Sequence, residues 1–339
     1  MTSRYRIATI PGDGIGPEVM RAGVSVLKTL EETKGDIAFD FVELKAGDEN
    51  KRATGVALPQ ETIREVENSD ACLFAAVGDT AKEVILPLRQ NLDLYANVRP
   101  AKVYPNIPHI KDNVDMVIVR ENTEDLYRRI GFQGPDWGVA LRIITRQASD
   151  RIARFAFDLA EREGRRRVTC VHKANVLDTT DNIFIDSCRR NARAHPTIAY
   201  DEAIVDACAM RLILAPERFE VIVTTNMFGD ILSDEAAGLV GGLGMAPSGN
   251  IGDRKAIFEP VHGSAPDIAG KGIANPMAMI LSVGMMLKWL GEADDASIVE
   301  SSVVKVLEKK RKLTPDLGGS ARTDEVAAAV QEEIAGKRF

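Results

Sequence analysis

Short apolar runs alternate with longer amphipathic segments along the chain. The runs are rich in Val, Ile and Ala without polar alternation, as strands covered on both faces are, and they lie at 6–10, 71–77, 116–119, 168–171 and 221–225. Helical spacing of apolar residues marks the segments between them, at 16–34, 60–67, 149–163 and 202–214. This alternation predicts an α/β fold built on a largely parallel sheet.

Length and composition indicate the number of domains and exclude some classes of binding partner. The chain has 339 residues, which fits about two domains, with candidate crossings at the proline-containing stretch 99–108 and the glycine-rich stretch 238–252. Lys and Arg number 43 against 50 Asp and Glu, and this formal net charge of −7 argues against a nucleic-acid or anionic-membrane partner. An anionic small molecule stays compatible, because a few arginines in one cleft reverse the local sign.

Cysteine spacing and hydropathy indicate the compartment. The four cysteines have no CxxC spacing and are predicted to be buried thiols. The most apolar segment, 276–287, is too short to cross a bilayer, and the N-terminus lacks the long apolar stretch of a signal peptide. We therefore expect a cytoplasmic protein.

A glycine-rich turn at 11–18, PGDGIGPE, follows the first predicted strand. Its glycines give GxGxG, whereas the Rossmann loop requires GxGxxG and an acidic residue ~20 positions later. Asp13 inside the turn would also repel a pyrophosphate, and Pro17 suits the first turn of a helix. We therefore predict a tight strand-to-helix turn here and a phosphate-binding loop elsewhere.

Three arginines stand at places where α/β proteins bind ligands. Arg120 closes the apolar run 116–119, Arg99 precedes Pro100, and Arg89 lies shortly before them. The carboxyl ends of parallel strands form the ligand edge of such sheets, and arginine binds carboxylates in a bidentate manner. Each arginine alone fits a surface ion pair, whereas the three together fit a substrate with two or more carboxylates.

Two aspartates follow the predicted strand 221–225 at helical spacing. Asp230 and Asp234 are four residues apart, so both carboxylates point to the same side of a helix. Oxygen ligands of this kind suit Mg²⁺ or Mn²⁺, and Asp206, which interrupts the apolar face of 202–214, is a third candidate ligand. Helix capping and salt bridges are the alternative.

Two further side chains are candidates for proton transfer. Lys173 follows the predicted strand 168–171, and a lysine at the mouth of a parallel sheet can act as a general base. Tyr127, seven residues after Arg120, is a candidate proton donor. Taken singly, they are more simply a solvated lysine and a packing tyrosine.

Together these segments closely resemble the β-decarboxylating dehydrogenases, a family that acts on 3-isopropylmalate, isocitrate, homoisocitrate, tartrate and malate. The similarity covers essentially the whole chain. The motifs that carry it are IPGDGIGPE at 10–18, LRQNLDLYANVRP at 88–100, VRENTEDLY at 119–127, HKANVL at 172–177, TTNMFGDILSD at 224–234 and EPVHGSAPDIAGKGIANP at 259–276.

The resemblance implies an isopropylmalate dehydrogenase-like fold, with two domains around a large, mixed, mostly parallel sheet and a non-Rossmann NAD site. Residues 1–94 and 241–339 would form a discontinuous nucleotide-binding domain, and residues 95–240 a substrate and dimerisation domain. The implied assembly is a homodimer, or a tetramer, with active sites shared between subunits and a hinge between the domains.

The resemblance also implies a role for each candidate residue. The malate part of the substrate would be bound by Arg89, Arg99 and Arg120. The ligands of Mg²⁺ or Mn²⁺ would be Asp230, Asp234 and, from the partner subunit, Asp206. Lys173, also contributed across the dimer, would accept the hydroxyl proton together with Asp206 while hydride leaves C2. After loss of the 3-carboxylate, Tyr127 would protonate C3.

The nucleotide would bind to a loop specific to this family. The implied cofactor-binding residues are His262, Gly263, Ser264, Ala265, Pro266, Asp267, Ile268, Asn275 and Asn175. NADP-dependent members carry Lys-Tyr where this chain has Asp267 and Ile268. Because an aspartate accepts hydrogen bonds from the ribose hydroxyls and repels a 2′-phosphate, we predict NAD⁺ as the coenzyme.

The group on C3 of the substrate is selected near the start of the helix that carries Arg89. Bacterial isocitrate enzymes have Ser and Asn where this chain has Glu83 and Ile85, and homoisocitrate enzymes can carry Arg in place of Leu86. Ile85 and Leu86 suit an alkyl group, whereas a third carboxylate would be unpaired beside them and repelled by Glu83. We predict oxidative decarboxylation of 3-isopropylmalate to 4-methyl-2-oxopentanoate and CO₂, as in leucine biosynthesis, with 3-methylmalate as a second substrate.

Other activities of the family stay open. The motif ENTEDLY at 121–127 looks more like the isocitrate and homoisocitrate subgroup than like common bacterial isopropylmalate enzymes, although the archaeal type shares it. Homoisocitrate or isocitrate oxidation is therefore the first alternative, and a tartrate or D-malate activity the second. A non-catalytic regulatory subunit is the third, although such subunits lose metal or acid/base residues that this chain keeps.

Overall fold

A computed structural model describes residues 2–337. Its strands are β1 (Ser3–Gly12), β2 (Ile37–Glu43), β3 (Ala71–Ala76), β4 (Ala96–Lys102), β5 (Asp115–Glu121), β6 (Gly131–Gln133), β7 (Gly138–Ala140), β8 (Arg167–His172), β9 (Ala199–Ile204), β10 (Val221–Thr224), β11 (Pro247–Ile251) and β12 (Ala256–Pro260). Its helices are α1 (Gly16–Lys34), α2 (Asp48–Thr54), α3 (Gln60–Asn68), α4 (Ala81–Asn91), α5 (Arg146–Arg162), α6 (Asp178–Ala194), α7 (Val205–Leu214), α8 (Asn226–Leu239), α9 (Met277–Trp289), α10 (Ala293–Lys309) and α11 (Thr323–Ala335).

Ten strands form one mixed sheet in the order β2-β1-β3-β12-β11-β4-β5-β10-β8-β9. Strands β2, β1, β3 and β12 pair in parallel at one end, as do β5, β10, β8 and β9 at the other. The two halves are joined by the antiparallel pairs β12–β11, β11–β4 and β4–β5. The prediction of an α/β fold on a mixed, mostly parallel sheet is confirmed.

The predicted elements are present, and the residues at their ends explain where they begin and end. Helix α1 has the predicted bounds, with Pro17 in its first turn and Gly35 at a φ of 72° after its last. The predicted helix 202–214 is wrong at its start, because the chain continues to Ile204 as β9, paired in parallel with β8. Within the candidate crossing 99–108, the chain is still strand β4 up to Lys102.

The apolar core divides between the two halves of the sheet. One cluster joins β1 and β3 to α1, α9, α10 and α11, and another joins β5, β8 and β10 to α5 and α6. All four cysteines are buried free thiols, as predicted. The domain boundaries at 94/95 and 240/241 stay a prediction. Within residues 2–337 no helix is both long and apolar enough to span a membrane.

Candidate active site

The glycine-rich turn after β1 is the predicted strand-to-helix turn. Gly12 and Gly14 have φ values of 68° and 60°, and a Cβ on Gly14 would lie 2.0 Å from the carbonyl oxygen of Ser264. The Asp13 carboxylate accepts backbone N–H groups of Asp48 at 2.8 Å and of Gly78 at 3.1 Å. The aspartate therefore holds the start of α2 and the segment before α4, while Gly12 allows close packing against Ala76 and Gly14 against the 262–268 loop.

The three predicted substrate arginines converge from three elements. Arg89 lies on α4, Arg99 on β4 and Arg120 at the end of β5, and all are less than 9% exposed. Arg89 and Arg99 line one cavity of about 160 Å³. Burial and the Arg120 charge lower the pKa of Arg99 to about 10, and burial also lowers the pKa of Arg89. So much buried positive charge indicates a site for an anion.

The two predicted metal-binding aspartates face these arginines from α8. Asp230 lies 3.3 Å from Arg99 Nη1 and also ion-pairs with Arg120, while Asp234 lies 3.4 Å from Arg99. Burial alone would raise the pKa of Asp230, but the charges of Arg120 and Arg99 hold it below its usual value. The pKa of Asp234 is raised, because burial there outweighs the Arg99 charge.

Tyr127 completes this group of charged side chains. It lies in the 3₁₀ turn Asp125–Arg128, and its hydroxyl donates to Asp230 Oδ2 at 2.5 Å. The Arg120 guanidinium lies 4.9 Å from the centre of the Tyr127 ring. Burial raises the pKa of Tyr127 in spite of the Arg120 charge, so the phenol keeps its proton at neutral pH. A protonated tyrosine beside a cationic cleft is suited to donate that proton.

Lys173 and Asp206 form a second, separate group. Lys173 follows β8, and its ammonium group binds Asp206 in the first turn of α7, which lowers the pKa of Asp206. The Asp206 side chain is 67% exposed. Among residues 2–337, no three His, Cys, Asp or Glu side chains come close enough to hold a metal ion. One chain therefore brings Asp230 and Asp234 together but leaves Asp206 apart from them.

The predicted nucleotide loop follows β12 at the carboxyl edge of the sheet. Its backbone is anchored where Ser264 O accepts the N–H of Ile15 at 2.9 Å, and Ala265 has a φ of 38°. His262 Nε2 is buried and has no hydrogen-bond partner among residues 2–337, and burial lowers the pKa of this ring. Asn275 is buried and donates to Asp316 Oδ2 at 3.0 Å.

The remaining predicted cofactor residues are less enclosed. Gly263, Pro266 and Asp267 are exposed on the loop, where a ligand can reach them, and Ile268 is half-buried. Asn175 is exposed in the loop that carries Lys173, which follows β8 on the other half of the sheet. Within one chain, Asn175 is thus apart from the other cofactor residues.

The residues predicted to select the C3 group differ in placement. Ile85 lines the cavity of Arg89 and Arg99, but Leu86 is not among its lining residues. The expectation that Glu83 repels a carboxylate there is wrong, because its carboxylate binds Lys51 Nζ at 2.7 Å and lines a different groove. The helix turn between Glu83 and Ile85 points the two side chains to opposite sides of α4.

Sequence patterns missed a buried counter-ion of the arginine cluster. Glu259, at the end of β12, lies 3.2 Å from Arg89 Nη2 and accepts a hydrogen bond from Asn250 at 2.7 Å. Asn226 was also missed, and its side-chain oxygen accepts hydrogen bonds from Arg120 at 2.7 and 2.9 Å. For Glu259 the available signal was a polar residue directly after an apolar run, which marks the carboxyl end of a strand, whereas two threonines separate Asn226 from its run.

Comparison with known proteins identifies the class. A family model described as isocitrate/isopropylmalate dehydrogenase matches residues 6–330. The 3-isopropylmalate dehydrogenase of Archaeoglobus fulgidus is 53% identical over 325 residues, which are 96% of this chain and 98% of that protein. The isocitrate/homoisocitrate dehydrogenase of Thermus thermophilus is 51% identical over 336 residues, with coverage of 97% and 98%. A crystal structure of isocitrate dehydrogenase from Methylococcus capsulatus is 42% identical, with a TM-score of 0.93 over 98% of this chain and 99% of that one.

Fold, buried cationic cleft and these matches together define a dehydrogenase. The chain belongs to the isocitrate/isopropylmalate dehydrogenase family. The resemblance to β-decarboxylating dehydrogenases is confirmed, and the matched span includes every motif on which it was based.

Gly229 allows α8 to pack directly on Arg120. A Cβ on Gly229 would lie 2.6 Å from Arg120 Cβ and Cγ, the least movable part of that side chain. We expect Gly229→Ala to displace the guanidinium and raise KM for the hydroxy acid by about 10-fold or more in steady-state kinetics. Gly238→Ala, on the same helix with no atom within 4 Å, is the control and should leave KM unchanged. Equal KM values for both variants would contradict the packing role.

Proposed function

We propose that this protein catalyses the NAD⁺-dependent oxidative decarboxylation of 3-isopropylmalate to 4-methyl-2-oxopentanoate and CO₂, and that it also accepts 3-methylmalate. The observation that carries the proposal is the cavity in which Arg89 and Arg99 adjoin the apolar side chains of Ile85, Val77 and Ala81. Two cations fit the malate carboxylates, and the apolar wall fits an alkyl group on C3. A third carboxylate at that wall would have no cation to bind.

Arg89, Arg99 and Arg120 would bind and orient the two carboxylates. Their buried charges are now partly balanced by Glu259 and Asp230. An incoming dianion would restore the balance of the cleft, and bidentate contacts would fix the direction of the C2–H bond. The arginines also stabilise negative charge that develops on the acid during decarboxylation.

Mg²⁺ or Mn²⁺ would be held by Asp230 and Asp234, together with an aspartate supplied by a second subunit. The two carboxylates are one helical turn apart, and Asp234 is 56% exposed, so a hard cation can reach its carboxylate although Oδ1 lies 3.4 Å from Arg99 Nη1. When bound, such an ion polarises the substrate hydroxyl and the adjacent carboxylate.

Proton transfers would be carried by Lys173 and Tyr127. We assign to Lys173, acting as the neutral amine after its own proton has passed on through Asp206, the role of taking the proton of the C2 hydroxyl as hydride leaves. NAD⁺ supplies the hydride acceptor. After CO₂ is lost from the 2-oxo acid, Tyr127 would deliver its proton to C3, which its raised pKa allows at neutral pH.

A homodimer with shared sites would bring Lys173 and Asp206 of one subunit together with the arginine and aspartate cluster of the other. Met210, Ile213 and Leu214 on α7 and Ile231 on α8 are each more than half exposed, next to Asp206 and Asp230. The β6–β7 hairpin exposes Phe132 and Trp137 as well. Exposed apolar surface of this extent, rimmed by charge, is typical of a subunit interface. Pairing of these helices would place Lys173 and Asp206 of one subunit beside Asp230 of the other.

NAD⁺ would bind along the 262–268 loop. The Asp267 carboxylate is exposed where a ribose would lie along the loop, and it disfavours a 2′-phosphate by charge repulsion. His262 Nε2 is a buried polar atom that a bound coenzyme could satisfy.

A substrate panel tests the proposal. We expect the highest kcat/KM with 3-isopropylmalate and NAD⁺, ahead of 3-methylmalate, isocitrate, homoisocitrate and D-malate, each assayed with NAD⁺ and NADP⁺ in the presence of Mg²⁺. Ile85→Asn should lower the preference for 3-isopropylmalate by about 10-fold or more, and Leu86→Asn is the matched control that should change it little. A preference for a tricarboxylate, or for NADP⁺, would overturn the assignment.

A further inference from the structure

Arg142 contacts three separate segments of the chain from one buried position. It lies in the extended stretch between β7 and α5, and its side chain is 10% exposed. Its Nε lies 2.9 Å from Asp125 Oδ1, and its Nη2 donates to Thr225 Oγ1 at 3.0 Å. Its Nη1 donates to Thr180 Oγ1 at 2.6 Å and ion-pairs with Asp181. Both Nη atoms thus donate hydrogen bonds, whereas Nε makes a charge contact with Asp125 without hydrogen-bond geometry.

Two of these contacts lead to segments that carry residues of the chain's own cleft. Asp125 begins the 3₁₀ turn of Tyr127, and its second oxygen accepts the N–H of Met227 at 3.1 Å. Thr225 is the residue directly before α8, the helix of Asp230. Arg142 therefore fixes the Tyr127 turn and the start of α8 relative to each other.

The third contact leads to the loop of Lys173. Asp181, on α6, accepts the backbone N–H of Lys173 at 2.6 Å through the oxygen that Arg142 does not use. Arg142 ion-pairs with Asp181, and Asp181 accepts the backbone N–H of Lys173. The position of the Lys173 backbone, from which its side chain extends, therefore depends on the Arg142 guanidinium. Asp125 and Asp181 are both fully buried, so neither carboxylate has water as a substitute partner.

We propose that Arg142 is a positioning residue for two active sites at once. It aligns Tyr127 and Asp230, which a subunit keeps for its own site, and Lys173, which the subunit supplies to its partner. This inference rests on the shared-site dimer of the proposed function. It makes Arg142 a structural link within one subunit between residues that act in two different sites.

Mixed dimers separate the effect of Arg142 on Lys173 from its effect on Tyr127 and Asp230. Paired with a Lys173→Met subunit, an Arg142→Gln subunit supplies the only intact lysine, so the one working site reports the Lys173 side. Paired with an Asp230→Asn subunit, it supplies the only intact Tyr127 and Asp230 pair and reports that side. We expect kcat in both mixed dimers to fall roughly 10- to 100-fold below the same dimers with Arg142 intact, with KM changed less.

The controls distinguish positioning from mere stability. Arg142→Lys should recover part of kcat in both mixed dimers and covers the case in which Arg142→Gln does not fold. Arg165 is another mostly buried arginine, and it ion-pairs with Asp115. Arg165→Gln should therefore lower Tm without this loss of kcat. A lower Tm with unchanged kcat, or a loss in only one of the two mixed dimers, overturns the proposal. Absence of activity in Lys173→Met/Asp230→Asn dimers with Arg142 intact would instead refute the shared site itself.

Discussion

Replacing Lys173 by methionine is expected to lower kcat by about 10²- to 10⁴-fold, the usual contribution of a general base, with a smaller effect on KM. The ammonium group binds Asp206 and no residue of the arginine cluster, so its loss leaves the carboxylate-binding side chains in place. Steady-state kinetics at saturating acid and coenzyme measure the change. Met keeps most of the length of the unbranched side chain and removes the titratable group.

Mixing two inactive variants tests where Lys173 acts. A dimer of Lys173→Met with Asp230→Asn keeps one site with all its groups if each site takes its lysine from the other subunit. Random reassociation should then restore about a quarter of wild-type activity, since about half of the dimers are mixed and each has one working site. If Lys173 served the cleft of its own chain, every site would lack one group and no activity would return.

Replacing Tyr127 by phenylalanine is expected to slow the decarboxylation and protonation steps by about 10²- to 10⁴-fold while hydride transfer is much less affected. The Tyr127 hydroxyl donates to Asp230 Oδ2 at 2.5 Å, and the ring packs against the Arg120 guanidinium. Phenylalanine keeps this ring contact. The substitution removes the hydroxyl, and with it the transferable proton and the hydrogen bond to Asp230. NADH formation in a single turnover reports hydride transfer, CO₂ release reports decarboxylation, and formation of 4-methyl-2-oxopentanoate reports protonation at C3.

Tyr95 provides a matched control for Tyr127. It also lies against an arginine, Arg151, at 4.6 Å and donates its hydroxyl to an aspartate, Asp253, at 3.2 Å, but outside the cleft. Tyr95→Phe should leave both NADH formation and CO₂ release near wild-type rates. Equal slowing of both steps by Tyr127→Phe would remove its role as proton donor and leave it a residue of packing.

Local patterns were sufficient where neighbours in sequence determine the structure. The period of apolar residues placed β1, β3, β5, β8 and β10 and the bounds of α1, whose first turn holds Pro17. The i, i+4 spacing placed Asp230 and Asp234 on one side of α8. Strands β2, β4, β9, β11 and β12 were not predicted; β4 and β11 pair with each other across distant segments of the chain, so no local pattern contains both partners.

Long-range contacts determine the features that local sequence patterns did not predict. The direction of Glu83 depends on Lys51 from α2, and the start of α7 depends on how far β9 pairs with β8. The bond between Glu259 and Arg89 joins residues 170 positions apart. No spacing within one segment contains such information, since it arises only when the sheet brings separate strand ends to the same edge.

The sequence by itself determined the fold class, the membership of the family, and the residue types of the cleft, because those depend on local periodicity and on motifs of adjacent residues. Only the tertiary structure showed that Arg89, Arg99 and Arg120 are buried around Asp230 and Tyr127, that Asp206 lies apart with Lys173, and that Arg142 links the two groups. The physical reason is that burial and ion pairing are set by side chains that meet across the sheet. The net charge of −7 therefore says little about a cleft in which the positive charges are gathered.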